Sequence, residues 1–183
     1  MIYPVVIYGH PVLRKKATEI DPETFEPEPL ISDMFETMYR ASGVGLAAPQ
    51  IGKSIRLYVI DASPMGEEYP ELKDFKRVFI NPEIIQHGEN MISIEEGCLS
   101  VPNIHEEVKR YESLTMRYLN ENFEEKEEHF EGFKAIVVQH EYDHLDGIMF
   151  TDKVAPLRKR LLRAKLAAIS KGKVKTDYKI ITA

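Results

Sequence analysis

Apolar positions along this chain recur with two different periods, and each period predicts a different element. Residues 2–8 form a short apolar stretch and predict a strand. A turn region rich in Pro and Glu follows, from Asp21 to Pro29. From there Leu30, Ile31, Met34, Phe35 and Met38 recur at helical spacing and predict an amphipathic helix over 29–41. The segments Ile55–Ile60, Val78–Ile85 and Val108–Tyr118 are rich in β-branched and aromatic residues and predict strands. Ala62–Lys76, between the first two, is polar and holds two Pro and one Gly, which reads as a surface loop. Asn122–Phe130 predicts a charged edge strand, because charge discourages edge-to-edge pairing.

Gly132 opens the strongest helical signal, with Phe133, Ile136, Val137, His140 and His144 on one face. Pro156 is placed to start a last helix, because its missing N–H costs nothing in a first turn. Leu157, Leu161, Leu162, Lys165, Leu166 and Ile169 predict its inward stripe, and Gly172 its end. The expectation is α+β: antiparallel or mixed β-sheets around a central helix, with an N-terminal helix and a basic C-terminal helix. No repeat or linker divides residues 1–183, so one domain is expected, with 156–171 as the last helix and 172–183 as a tail.

Composition narrows the class. The 183 residues carry 24 basic and 30 acidic side chains, a net charge of −6, with a single Cys and no Trp. One Cys cannot close an internal disulfide, which excludes a stapled secreted scaffold. No apolar run approaches the ~20 residues that span a bilayer, so no membrane partner is expected. The opening MIYPVVIYGH has no basic leader, and the expected location is the cytoplasm. The charge is unevenly spread: from Pro156 onward there are nine basic residues and one acidic, leaving the rest of the chain strongly acidic. The bland reading of the basic helix is a solvated face; the sharper one is docking on ribosomal RNA. No DNA partner is expected.

The densest chemistry lies at His140-Glu141-Tyr142-Asp143-His144. Residues four apart share a helix face, so both imidazoles can reach one metal ion, with Glu141 near enough to act on a water there. The alternative is two histidines spaced four apart by coincidence. A catalytic site of this kind needs a third protein ligand and an open position. The downstream chain offers little: the next His of a metzincin pattern would stand at Phe150, and no Glu follows Glu141. The third ligand is therefore sought upstream, among His87, His105, His129, Cys98 and the carboxylates, with Asp146, Asp152 or Asp177 downstream the less favoured source. Thiolate suits borderline and soft metals, which favours Cys98, although a free Cys is as often a small buried apolar residue. Asp143 can either orient a neighbour or sit as an exposed charge.

Two other stretches are unusual. Gly43 to Gln50 has the form G-x-G-x-x-A, but it follows a helical pattern and Pro49 interrupts it, which argues against nucleotide binding. Such a segment can instead offer backbone groups to an extended peptide, with Gln50 as a donor. Glu95-Glu96-Gly97-Cys98-Leu99-Ser100 places a glycine beside the candidate ligand. Phe133, Ile136 and Val137 share a face with His140 and, with Val44, can wall an apolar pocket. They are also ordinary core residues.

Together GVGLAAPQ (43–50), EGCLS (96–100) and QHEYDHLDG (139–147) resemble the three signature motifs of the peptide deformylase family, in order and approximate spacing. INPEII at 80–85 and MFETMY at 34–39 resemble that family too, and the likeness runs over most of residues 1–160. It is nearest to the bacterial type with a C-terminal helical extension. His105 stands where some members carry Arg, and Ala62–Lys76 is longer than in the shortest members. The resemblance implies hydrolysis of the formyl group from the N-terminal formyl-methionine of nascent polypeptides. It implies Cys98, His140 and His144 as metal ligands and Glu141 as acid/base. Gln50 and the Leu99 N–H are implied at the developing oxyanion. The implied ion is Fe2+, one per chain, with Ni2+, Co2+ or Zn2+ able to take its place. Val44, Gly45, Glu96, Phe133, Ile136 and Val137 are the expected substrate contacts, the peptide adding as a strand beside Gly45 and the chain near Glu96.

Two rivals share the same residues. A His-Glu-x-x-His peptidase acting on internal bonds needs a downstream ligand that is missing. A non-enzymatic module with a structural metal needs a fourth protein ligand, and none is evident.

Overall fold

The computed structural model describes residues 1–183. Its main elements, in chain order, are β1 (Val5–Val6), α1 (Glu28–Arg40), β2 (Gly45–Ala47), β3 (Leu57–Asp61), β4 (Lys76–His87) and β5 (Met91–Cys98). They continue with β6 (Val101–Tyr111), β7 (Ser113–Leu119), β8 (Glu125–Glu131), α2 (Phe133–Leu145), α3 (Pro156–Ser170) and β9 (Ile180–Ile181). The main sheet runs β2-β3-β4-β7-β8 with every neighbour antiparallel. A separate long hairpin joins β5 to β6, and β9 pairs in parallel with β1.

Burial follows position in the sheet. All five residues of the interior strand β3 are buried. At the outer strand β8 the exposed face is charged, and Arg117 of β7 reaches across to Glu127 at 3.2 Å. That edge therefore resists pairing with another chain. Along β6 the alternation is clean: Ile104, Glu106, Val108 and Arg110 point inward. The two charged residues on that face are each paired, as burial requires: Glu106 with Arg158, Arg110 with Glu96 and Asp143.

Helix α2 lies at the centre, packed against β2, β3, β6 and β8. Its C-terminal end is closed by Arg56, whose guanidinium donates to the Leu145 carbonyl at 3.1 Å and to Asp146 at 3.0 Å. A cation there also complements the negative end of the helix dipole. Tyr58, Phe79, Phe130 and Val138 fill the space between sheet and α2, with the Tyr58 and Phe79 rings 4.6 Å apart. Met34 and Met38 of α1 pack against Leu46, Leu57 and Val59 beneath the other end of the sheet. Residues of β1, β6 and α3 form a further core around Phe150.

The α+β class and the antiparallel sheets agree with expectation, and several boundaries do not. The strand over 2–8 contracts to Val5–Val6. Val108–Tyr118 is two strands that turn a corner at Glu112, where the chain leaves its pairing with β5 and joins the main sheet. Ala62–Lys76 is not a surface loop throughout: it contains two short 3-10 turns, and Leu72 and Phe75 are fully buried. The last helix ends at Ser170, and the tail beyond it contributes β9. Its inward stripe is narrower than predicted. Leu162, Leu166 and Ile169 are buried, whereas Leu157 and Leu161 are 68% and 60% exposed. Leu162→Ala is therefore expected to cost about 2–4 kcal/mol in urea unfolding, as a truncation in a packed core does. Leu161→Ala, one position away, should stay within about 0.5 kcal/mol of the native chain.

Candidate functional site

Helix geometry places His140, Glu141 and His144 together, and the β5–β6 hairpin brings Cys98 to them. The Cys98 thiol and one ring nitrogen from each histidine all lie within 4.8 Å of one another. Cys98 Sγ is 3.4 Å from His144 Nε2. His140 Nδ1 is 2.8 Å from Glu96 Oε1, which leaves its Nε2 for the cluster. One thiol and two imidazoles converging in this way fit a borderline metal ion. His87 and His129 are exposed elsewhere, on β4 and β8, and His105 on β6 is exposed at the rim of the same cleft without joining the cluster.

A layer of paired charge stands behind the ligand set. The Glu96 carboxylate accepts from Arg110 at 2.6 and 3.0 Å as well as facing His140. Arg110 also donates to Asp143 at 2.8 Å, and Lys153 lies 3.7 Å from the same carboxylate. Such a carboxylate fixes which imidazole nitrogen is presented and raises its basicity. Glu96 lines the cleft, and its side chain, 6% exposed, is turned to His140 and Arg110. Sequence reasoning missed this because Arg110 stands fourteen residues away on the partner strand. The inward alternation of β6 was the available signal. Asp143, left open by the sequence, orients Arg110.

Gln50 is held from both ends of its amide. Its Oε1 accepts from the Ala47 N–H at 2.9 Å, and its Nε2 donates to Ser100 Oγ at 3.0 Å, 3.5 Å from Cys98 Sγ. This follows from the 3-10 turn Ala48–Ile51, which accommodates Pro49 in its first positions and buries Gln50. Gly45 is required by proximity: a Cβ there would overlap the Glu141 carboxylate. At Gly97 a Cβ would come 2.7 Å from the exposed His105 ring, which would have to turn aside.

The electrostatics follow from burial. Glu141 is 4% exposed, and loss of water pushes its pKa up to about 7, against the opposing pull of His140 and Arg110. Its Oε2 has no hydrogen-bond partner, and neither does His144 Nδ1. Burial works against charge on His140, yet its bonds to Cys98 and Glu96 outweigh that and raise its pKa well above the ordinary value. Surroundings that attract a proton there attract a metal cation for the same reason. His144 is held well below its ordinary value by burial and by the His140 and Arg110 charges, so it stays neutral, as a ligand must.

These groups open on one cleft of about 830 Å3. Val44, Gly45, Gln50, Glu96, Cys98, Leu99, Phe133, Ile136, Val137, His140 and Glu141 all line it, so the sequence-derived set is brought together apart from His144, which lies behind. Phe133 and Val137 also pack on the main core, so both readings of them hold. Lining residues not foreseen include Met65 and the tail segment Lys175–Tyr178. Tyr69, from the stretch read as a loop, stacks on Phe133 with ring centroids 6.2 Å apart.

No helix of this chain is long and apolar enough to cross a membrane. The family described as polypeptide deformylase matches residues 2–160. The peptide deformylase of Christiangramia forsetii is 48% identical, covering 98% of this chain and 95% of that relative. Among solved structures, the peptide deformylase of Thermus thermophilus superposes with a TM-score of 0.83 at 38% identity, covering 94% of this chain and 100% of the other. That of Legionella pneumophila gives 0.81 at 38% identity over 94% and 98%. With the Cys-His-His cluster and the buried glutamate brought together at the cleft wall, these likenesses settle the family: the chain belongs to the polypeptide deformylases, metal-dependent hydrolases that remove the N-formyl group from nascent peptides.

Proposed function

We propose that residues 1–183 act as one catalytic domain that cleaves formate from N-terminal formyl-methionine, with Cys98, His140 and His144 as ligands to a single Fe2+. Ni2+, Co2+ or Zn2+ can take its place. The observation that carries this reading is the convergence of one thiol and two imidazoles beside a buried, unpartnered glutamate oxygen. Cys98 as thiolate and His140 and His144 as neutral imidazoles would hold a divalent ion, the proton of His140 being displaced on binding, and would leave it net positive charge. When bound, the ion supplies Lewis acidity toward the attacking water and the formyl oxygen.

The chain's own groups do the rest. Glu141 takes the proton from water as its oxygen attacks the formyl carbon, then delivers that proton to the departing amine nitrogen as the C–N bond breaks. A pKa near 7 suits a group that must both accept and donate. The Gln50 amide and the Leu99 backbone N–H donate to the developing oxyanion. Losing one such donor typically lowers turnover about 10²–10³-fold. The methionine side chain enters between Val44, Phe133, Ile136 and Val137, and the peptide backbone adds as a strand beside Gly45 and the Glu96–Gly97 chain. An internal-bond peptidase is disfavoured by the lack of a downstream ligand; a structural-metal module is disfavoured by three ligands rather than four.

We also propose that the basic face of α3 docks on ribosomal RNA. Arg158 is engaged with Glu106, but Arg160 and Arg163 are exposed and form no ion pair. Arg160→Glu with Arg163→Glu should weaken sedimentation with ribosomes and reduce its salt slope by about 2. Formate release from formyl-Met-Ala-Ser should not change. Salt-independent binding that survives both changes would reject the idea.

The proton role and the burial of Glu141 give opposite effects in one variant. Glu141→Gln should lower kcat on formyl-Met-Ala-Ser by about 10²–10⁴-fold with metal content retained. The native pKa is raised above the unfolded one, so the carboxyl's contribution to stability is present below pH 4.5 and lost as pH rises through about 7. In chelator-stripped protein at pH 8 the variant should therefore be more stable by roughly 1–3 kcal/mol, and the gain should vanish as pH falls toward 4.5. Thermal melts across pH check this. Separately, Glu96→Ala should weaken metal retention about 10–100-fold in a chelator competition, because His140 loses the partner that orients it.

A further inference from the structure

Leu99 stands at the tip of the β5–β6 hairpin, in the two-residue turn between the paired residues Cys98 and Val101. A hairpin tip is ordinarily mobile, and a backbone donor on it is useful only if its direction is fixed. Besides the Gln50 amide, which donates to Ser100 Oγ at 3.0 Å, three hydrogen bonds with groups outside the hairpin hold this one. The Tyr8 N–H donates to the Ser100 carbonyl at 2.8 Å, and Ser100 Oγ donates to the Val6 carbonyl at 2.7 Å. The third reaches Leu99 itself: the Tyr178 hydroxyl donates to its carbonyl at 2.7 Å. Tyr178 lines the same cleft as Glu141 and Gln50.

Tyr178 is itself bracketed. On one side the Lys175 carbonyl accepts from the Asn103 side-chain amide at 3.1 Å. On the other, Ile180 and Ile181 pair with Val5 and Val6. The tail is thus a strap tied to β6 and β1, and its ties place a phenol against the one residue expected to supply a backbone donor. The family match ends at residue 160, so this contact comes from a part of the chain that the match does not reach.

We propose that Tyr178 is a positioning residue for the reaction, fixing the Leu99 peptide groups so that the Leu99 N–H faces the developing oxyanion. With the carbonyl tied by Tyr178 and the preceding residue tied at the ligand cluster, rotation about the Leu99 backbone is restricted at both ends. The inference rests on the reading of Leu99 as oxyanion donor. Its effect belongs to the transition state, so it should appear in kcat and not in KM.

The test compares metal-loaded native protein with Tyr178→Phe, which keeps the ring in the cleft and removes only the hydroxyl. Formate release from formyl-Met-Ala-Ser should show kcat lower by about threefold to tenfold, as loss of one hydrogen bond predicts, with KM within twofold. Metal content should match the native protein, and the melting temperature should fall by no more than the few degrees one hydrogen bond is worth. Hydrogen exchange over 97–101, read without any turnover, should be faster in the variant. An unchanged kcat overturns the proposal. So does a loss accompanied by lower metal content or by a larger drop in melting temperature than that, because either is a structural defect. Faster exchange with native kcat would show that Tyr178 pins the turn but that the Leu99 donor does not act, which rejects the positioning role. If the native protein itself releases no formate, the reading of the site fails first and the inference falls with it.

Discussion

Glu96 is a carboxylate almost wholly removed from water, and a buried charge persists only where other groups replace the solvent. Here the replacement is Arg110 on one side and His140 on the other. The arrangement has a geometric consequence. Glu96 and Arg110 belong to the hairpin, His140 belongs to α2, and Asp143 of α2 closes the loop back to Arg110. The same four side chains therefore lock the hairpin to the helix and aim one imidazole. Cys98 lies two residues beyond Glu96 on the hairpin, so its distance from His140 and His144 depends on that lock. A hydrophobic replacement of the network could hold the two elements together, but it could not select the ring nitrogen presented to the cleft.

The same economy appears in α2. A helix on a domain surface needs one apolar stripe, but α2 is buried on most of its circumference, including Gln139, His140, Glu141 and His144. Each of these polar groups must then be satisfied or must cost stability. Gln139 is satisfied by the Tyr111 backbone at 2.8 and 3.2 Å. Glu141 Oε2 and His144 Nδ1 are not. The unsatisfied oxygen belongs to the residue proposed to move the proton. The stability it forgoes and the reactivity it gains have one origin, which is the absence of water around it.

Legibility in the sequence followed the range of the interaction. His140, Glu141 and His144 were readable because helical spacing alone brings them together. Cys98 was readable only through its chemistry and the family likeness, since its approach to α2 depends on a hairpin the apolar pattern did not reveal. β5 carries Glu95, Glu96 and Gly97 among its apolar positions, and that mixture conceals a strand. Val108–Tyr118 looked continuous because both strands are β-branched and aromatic; the corner at Glu112 is set by a change of partner, which no local pattern encodes. Leu72 and Phe75 are single apolar residues in a polar stretch, too few to show a period. β9 is two residues long and exists through its pairing with β1.

The charge asymmetry acquires a different meaning once α3 is in place. Part of its basic charge serves the fold: Arg158 neutralises the inward Glu106, whose pKa the guanidinium holds below the usual carboxylate range. The buried stripe of Leu162, Leu166 and Ile169 fastens the helix to the core around Phe150, and the tail that follows carries Tyr178 to the cleft. Removing the helix would therefore disturb the core, β9 and the hairpin tip together. Any role of this helix in docking must be carried by side chains that do none of this work. Arg160 and Arg163, exposed beside Leu157 and Leu161, meet that condition. Charge changes at those positions can separate docking from folding and catalysis, which deletion of the segment cannot do.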